Sequence, residues 1–212
     1  DLAHEMRTPL SNLMGQTQQT LRRVRSLEDY QSLLASNQEE YERLARMINN
    51  MLFLARTEQV DAAIHRQDLD LAETVEQLGD YFEGVAEEHQ MRVVNEASGS
   101  LHVDPDLLRR ALANLIANAL RYGATGTEVR VSCERTADNV VITVENSGEP
   151  IAEEHLPRLF DRFYRCDPSR AQPGDSGGLG LAIVRSIMQL HGGEVRVTSD
   201  ASVTCFSLSF PR

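Results

Sequence analysis

From Tyr30 to Ala55, side chains that can pack recur by fours and threes: Tyr30, Leu34, Asn37, Tyr41, Leu44, Ile48, Met51 and Ala55. That step is a heptad seam with one asparagine in it. It commits the segment to a helix that buries one side against another helix. The stretch before it repeats the pattern less strictly, through Leu2, Met6, Leu10, Leu13, Thr17, Leu21 and Val24. "RSLEDY" (25–30) breaks the two apart, with Ser26 placed as an N-cap and acids in the turn that follows. Residues 1–60 are therefore expected to form an antiparallel helical hairpin. Two helices alone leave part of each seam uncovered, so a second copy is expected to complete a dimeric four-helix bundle; an intramolecular coiled coil is the simpler alternative.

Past residue 60 the periodicity changes. "DAAIHRQ" (61–67) reads as a linker. Helices are expected at 71–90 and 104–122, and strands at 127–135 and 139–146 on either side of "TAD". A further helix at 178–191 ends in "HGG", where Gly192 or Gly193 supplies a left-handed cap. Two strands, "EVRVTS" and "TCFSLSF", close the chain. Helices mixed with neighbouring strands make the whole an α+β chain, with a two-layer α/β sandwich over 68–212.

Composition narrows the function. A net charge of −11 argues against nucleic-acid binding and against docking on an anionic membrane. Cys133, Cys166 and Cys205 are odd in number and far apart, fitting neither a disulfide framework nor a zinc spacing. They read as buried or idle thiols in a reducing compartment. No run of about 18 apolar residues is present to span a bilayer. Asp1 falls inside an amphipathic pattern with no cap before it, so a preceding segment is expected.

Three stretches are poor choices for structure alone. "DLAHEMRTPLSNL" puts Pro9 inside a helix, at a cost of roughly 3 kcal/mol, five residues after His4. In "DPDLLRRALANLIANALRYG" (104–123), Asp104 caps, Pro105 opens the helix, and Leu108, Leu112, Leu115 and Ala119 form its apolar stripe. Asn114 and Asn118 then share another face, with Arg121 and Tyr122 a turn on. Two solvated asparagines would satisfy the pattern. A carboxamide oxygen is also a ligand that Mg²⁺ accepts, and Mg²⁺ usually brings nucleotide phosphates. Third, residues 165–177 are rich in Pro, Gly, Asp and Ser and read as a mobile loop between Phe160, Phe163 and the glycines Gly177, Gly178 and Gly180. Glycines just before an apolar helix let backbone N–H groups approach phosphate at the helix N-terminus. Between these stretches "VENSGEPI" (144–151) carries a strand into a turn; alone it is an ordinary turn signal, though a polar side chain at the strand end can accept from an adenine amino group and Gly148 lets backbone approach a ring.

In this order the stretches resemble the boxes of sensor histidine kinases of two-component signalling. "HEMRTPL" is similar to the phosphoacceptor box, "NLIANALRY" to the Asn box, "VENSGEPI" to the first glycine box, "LFDRFYR" to the Phe box and "GGLGLAIV" to the second glycine box. The resemblance covers the whole chain, and the wording of 144–170 is similar to the heavy-metal (copper and silver) sensor subgroup.

The resemblance implies an ATP-binding domain of the Bergerat type at 68–212 and a protein-histidine kinase that uses ATP and Mg²⁺. His4 would take the γ-phosphoryl group, Glu5 would receive its proton, and Thr8 would orient water for dephosphorylating the partner; Pro9 would kink the helix. Asn114 would contact phosphate or its metal shell, Asn118 would bind Mg²⁺, Arg121 would neutralise phosphate and Tyr122 would pack at adenine. Asn146, Gly148 and Ile151, then Phe163 and Arg165, then Gly177, Gly178, Leu179 and Gly180 complete the implied nucleotide site. Implied partners are the receiver domain of a response regulator and a second copy of the chain. The implied location is the cytoplasmic portion of a bacterial inner-membrane sensor, joined to the membrane only through an upstream region.

Three positions depart from the family pattern. Asn146 stands where an aspartate reads adenine, Pro150 replaces a glycine, and Ser176 stands in place of the second box's leading glycine, with Gly177 displaced by one. Lower nucleotide affinity is expected, and a degenerate pseudokinase acting as a dimeric scaffold is the alternative reading. An ATPase switch sharing the nucleotide domain, as in DNA gyrase B, lacks the histidine hairpin. The remaining histidines, at 65, 89, 102, 155 and 191, match no box and read as surface residues.

Overall fold

The computed structural model describes residues 2–57, 64–166 and 177–212, with side chains from Met6 onward. The chain opens with helix α1 (Leu2–Leu21) and helix α2 (Leu27–Thr57). Ser26 starts α2 as a reciprocal cap. The Asp29 N–H donates to its Oγ and its own N–H donates to Asp29 Oδ2, both at 3.1 Å. Only residues 22–26 connect the two helices, so the chain turns back on itself, and Asn37 Nδ2 reaches Thr17 Oγ1 at 3.5 Å and Ser36 Oγ reaches Gln16 Oε1 at 3.4 Å across the hairpin.

The seam divides instead of burying whole. Leu13 and Asn37 are buried within the hairpin, and Met47 and Leu54 are buried in a cluster continuous with the core of the following domain. Leu34, Tyr41 and Ile48, counted as seam residues, stay exposed, as do Leu10 and Leu21; Val24 lies beyond the end of α1. A helix in a two-helix hairpin covers about one stripe, so the rest of a wider apolar surface remains open.

The second part runs β1 (Gln67–Asp70), α3 (Leu71–Glu88), β2 (Arg92–Glu96), β3 (Ser100–Val103), α4 (Pro105–Tyr122), β4 (Glu128–Arg135), β5 (Asn139–Ser147), a 3-10 turn at Leu156–Arg158, α5 (Gly180–Leu190), β6 (Glu194–Ser199) and β7 (Val203–Pro211). The main sheet has the order β2-β4-β5-β7-β6, with β2 parallel to β4 and every other pair antiparallel. β1 and β3 form a separate antiparallel pair. Val140, Ile142 and Val144 of β5 stand opposite Phe210, Leu208 and Phe206 of β7, and all six are buried. The apolar faces of α4 and α5 complete that layer.

The helices and the four longer strands lie where the periodicity put them. β1, β2 and β3 are additional. Each has four or five residues, and "QDLD" holds one apolar side chain, too few positions to register an alternation. The expected linker 61–67 falls partly outside the described residues. Its end is strapped down: the His65 N–H donates to Asp104 Oδ2 at 2.9 Å, and Arg66 Nη2 donates to the carbonyl of His191 at 3.1 Å.

His191 is not on the surface. It is 3% exposed, because its ring links the end of α5 to the start of α4 and packs edge-on against Phe210. The three cysteines are free; Cys133 and Cys205 are half-buried and Cys166 is exposed.

Candidate active site

α4 is built as its sequence suggests. Asp104 Oδ1 accepts the Leu107 N–H at 3.2 Å, and Pro105 fills the first helical position. Leu108, Leu112, Leu115 and Ala119 are at most 1% exposed, which leaves Asn114 and Asn118 on a half-buried flank. Asn114 Nδ2 donates to the carbonyl of Arg110 at 2.7 Å. That bond uses the nitrogen end of the carboxamide, and the oxygen is the end whose chemistry suits a cation or its water shell. Among the described residues, no three His, Cys, Asp or Glu side chains gather as a metal cluster. An ion held by an asparagine oxygen and by substrate phosphates needs none.

The far end of α4 meets the end of β5. Gly123 and Gly148 form an isolated bridge, and a Cβ on Gly148 would stand 2.6 Å from the Tyr122 carbonyl oxygen. Gly148 is thus required by this backbone junction, before any ligand is considered. Asn146, 5% exposed, ends the buried face of β5, and Thr204 of β7 pairs with it in register. Thr204 Oγ1 bonds Ser199 Oγ at 2.8 Å, and that hydroxyl accepts the Ile151 N–H at 3.0 Å. Thr204 and Ser199 therefore belong to the polar end of the core beside Asn146. Sequence reasoning missed them, though Thr204 is the one polar member of the alternation that continues through Phe206, Leu208 and Phe210.

The loop expected at 165–177 lies almost wholly outside the described residues, as does Ser176. Its two ends are described. Phe160 packs edge-on against Phe206 at 6.3 Å between centroids. The Phe163 N–H donates to the Gly178 carbonyl at 2.9 Å, with Phe163 at φ 63°. The Tyr164 hydroxyl bonds His155 Nδ1 at 2.7 Å, and the Arg158 guanidinium covers the Tyr164 ring at 4.3 Å. Gly177 and Gly178 follow at φ 65° and 72° and lead into α5. Asp70 and Asp104 cap α3 and α4, whereas α5, whose N-cap is Leu179, has no side-chain cap. Its first N–H groups remain for an anion. The Leu179 side chain is fully buried, so only its backbone can serve a ligand. Gly180 opens the helix, and Arg165 and Arg121 are each half-buried. Tyr122 is 48% exposed.

On the hairpin, the backbone of His4 and Glu5 lies in α1; their side chains are outside the described set. α1 continues through Pro9, which is buried, while Thr8 is exposed.

A helix carrying paired asparagines, a polar strand end and an uncapped helix after two left-handed glycines offer groups of the kind that suit a nucleotide. Residues 103–212 match the family model of histidine kinase-, DNA gyrase B- and HSP90-like ATPases, and residues 1–60 match the His kinase A phospho-acceptor domain. The chain belongs to the histidine kinase family. The sensor histidine kinase CusS of Escherichia coli (strain K12) is 47% identical over 213 residues, covering 100% of this chain and 44% of that protein. The solved structure of the Acinetobacter baumannii histidine kinase AdeS superposes with a TM-score of 0.81 at 25% identity, covering 98% of this chain and 97% of its own. Histidine kinase ThkA, solved in complex with the response regulator protein TrrA, shares the fold with a TM-score of 0.79 at 21% identity, over 99% of this chain and 59% of that one. The chain spans less than half the length of the curated relative. No described helix of the chain is long and apolar enough to cross a membrane.

Proposed function

We propose that the chain is the catalytic core of a sensor histidine kinase that phosphorylates itself on His4 and passes the group to an aspartate of a response regulator. The observation that carries this is one chain joining a phospho-acceptor hairpin at 1–60 to a nucleotide domain whose α5 begins uncapped after Gly177 and Gly178. The working division is hairpin 1–60, linker 61–67 and nucleotide domain 68–212.

Asn146, with Thr204 beside it, accepts from the adenine amino group. The N–H groups at the start of α5 hold phosphate oxygens, and Arg121 and Arg165 add charge. The Asn118 oxygen, with Asn114 beside it, is the protein group suited to Mg²⁺, which when bound offsets negative charge between the phosphates. One nitrogen of the His4 ring attacks the γ-phosphorus in line. The N–P bond forms as the bond to ADP breaks, and Glu5 takes the proton from the other ring nitrogen. Thr8 orients water when the hairpin dephosphorylates the regulator. ThkA, solved with a response regulator, supports this class of partner. Exposed Leu10 and Met14 on α1, and Leu34, Tyr41, Ile48 and Leu52 on α2, support a second copy completing the bundle. The similarity to CusS supports a place in the cytoplasmic part of an inner-membrane, heavy-metal-responsive sensor.

The test is incubation with Mg²⁺ and γ-labelled ATP, comparing the chain with His4→Gln. Acid-labile, alkali-stable label absent from the variant supports the reading. Nucleotide binding without label marks an uncoupled core, and no binding favours the scaffold.

A further inference from the structure

Arg110 stands on α4 one turn before Asn114 and two turns before Asn118, so the three form one stripe with about 6 Å between neighbours along the helix. Its side chain crosses to the hairpin. Nη2 donates to Asn50 Oδ1 of α2 at 2.9 Å, and Cζ lies 4.0 Å from the centre of the Phe53 ring. Asn50 and Phe53 are three apart on α2, hence on one face, next to Met47 and Leu54 of the shared core. Arg109, the next residue back, pairs with Asp106 on its own helix at 3.5 Å, which leaves the crossing to Arg110.

The contact is directional. An apolar patch such as Met47 with Leu54 resists separation but tolerates sliding. A guanidinium over a ring face, with one N–H fixed on an amide oxygen, resists rotation as well. Half burial strips water from the guanidinium, and the ring and the amide replace it. The same residue holds the site from the other side, because its carbonyl accepts from Asn114 Nδ2. One stripe of α4 therefore reads the hairpin at Arg110 and the phosphate end of the nucleotide site at Asn114 and Asn118.

We propose that Arg110 is a positioning residue for phosphoryl transfer: by clamping α4 to α2 through Asn50 and Phe53, it fixes the phosphate end of the nucleotide domain relative to the hairpin that bears His4. This rests on the kinase reading above. Arg110 touches no reacting atom. Loss of the clamp leaves ATP binding intact and lowers the frequency with which bound ATP meets His4.

The experiment compares Arg110→Ala, Phe53→Ala, the double variant and Arg110→Lys with the parent chain. Each single alanine variant is expected to autophosphorylate about tenfold more slowly or worse at saturating ATP, as misplacement of reacting groups does. The dissociation constant for ATP is expected to stay within about twofold, and the double variant to be no slower than the slower single, since both remove one contact. Arg110→Lys keeps the charge but not the fork and recovers part of the rate. An unchanged or raised rate, additive losses, or a parallel loss of ATP affinity overturns the proposal. Hydrogen exchange over 47–54 gives a second readout that needs no catalysis. Faster exchange in Arg110→Ala supports the clamp, and unchanged exchange overturns it. A parent chain that takes no label sinks the kinase reading and the catalytic half of this proposal, and the exchange result then decides the clamp.

Discussion

The Phe163 N–H and the Gly178 carbonyl meet at 2.9 Å and draw together the two ends of the segment between the Phe box and α5. The approach is close: a Cβ on Gly178 would lie 2.9 Å from the Phe163 Cα and carbonyl carbon, and Gly178 itself sits at φ 72°. Gly178→Ala therefore meets both a backbone clash and a left-handed conformation, with an expected cost of about 1–3 kcal/mol. Because the neck leads into the N–H groups at the start of α5, ATP affinity is expected to fall with the melting temperature. Calorimetric titration and a thermal melt of the same variant check the pair. An unchanged affinity would detach this neck from the nucleotide site.

Asn146→Asp is expected to move two observables in opposite directions. The position is 5% exposed, so a carboxylate there loses hydration and lowers the melting temperature of the free chain. With adenine bound, the charge strengthens the hydrogen bond from the amino group, and affinity for ATP rises. A variant that binds ATP more weakly than the parent would show that Asn146 does not face the base.

His191 makes stability depend on pH. Its Nε2 accepts the Asp104 N–H at 3.1 Å, so Nδ1 carries the proton and donates to the Ile187 carbonyl at 2.8 Å. Burial pushes its pKa below the ordinary 6.5; the Ile187 carbonyl and the Asp104 carboxylate pull it up, and the Arg66 guanidinium pushes it down. The folded state thus binds this proton less readily than the unfolded chain. The contribution is complete above about pH 6.5 and is lost progressively as pH falls below it. The melting temperature is expected to drop between pH 7.5 and 5.5. His191→Gln, which keeps a donor and an acceptor, should have a lower melting temperature at pH 7.5 and a flatter pH profile; an equally steep profile would assign the effect to other groups.

Asn37 is 7% exposed, with Nδ2 at 3.5 Å from Thr17 Oγ1 and no partner for Oδ1. An unpaired buried acceptor costs about 1–3 kcal/mol, so Asn37→Leu is expected to raise the melting temperature of the hairpin. The same change removes the polar mark in the seam, and sedimentation is expected to show a broader mixture of oligomers than the parent. A destabilised variant would mean that Oδ1 is satisfied in the assembled protein.

Elements with long periods are legible in the residue order alone. Ser26, Asp104 and Pro105 mark helix starts, and Leu108 to Ala119 mark the buried stripe of α4, because capping and a period of 3.6 act within a few residues. The alternation in β5 and β7 points to the inner face of the sheet for the same reason. β1 to β3 carry too few side chains to show a period, and β2 joins the sheet by parallel pairing with a strand more than thirty residues away.

Local chemistry in the sequence determined the helices, the longer strands and the boxes that carry His4, Asn114, Asn118 and the glycines before α5. Tertiary structure decided the relations among them. It turned Gly148 into a junction with Tyr122, placed Thr204 beside Asn146, drew His191 from an expected surface into a link between two helices, and sent Arg110 across to Phe53. Each of these depends on which faces meet when distant segments share one buried volume, and no spacing along the chain records that.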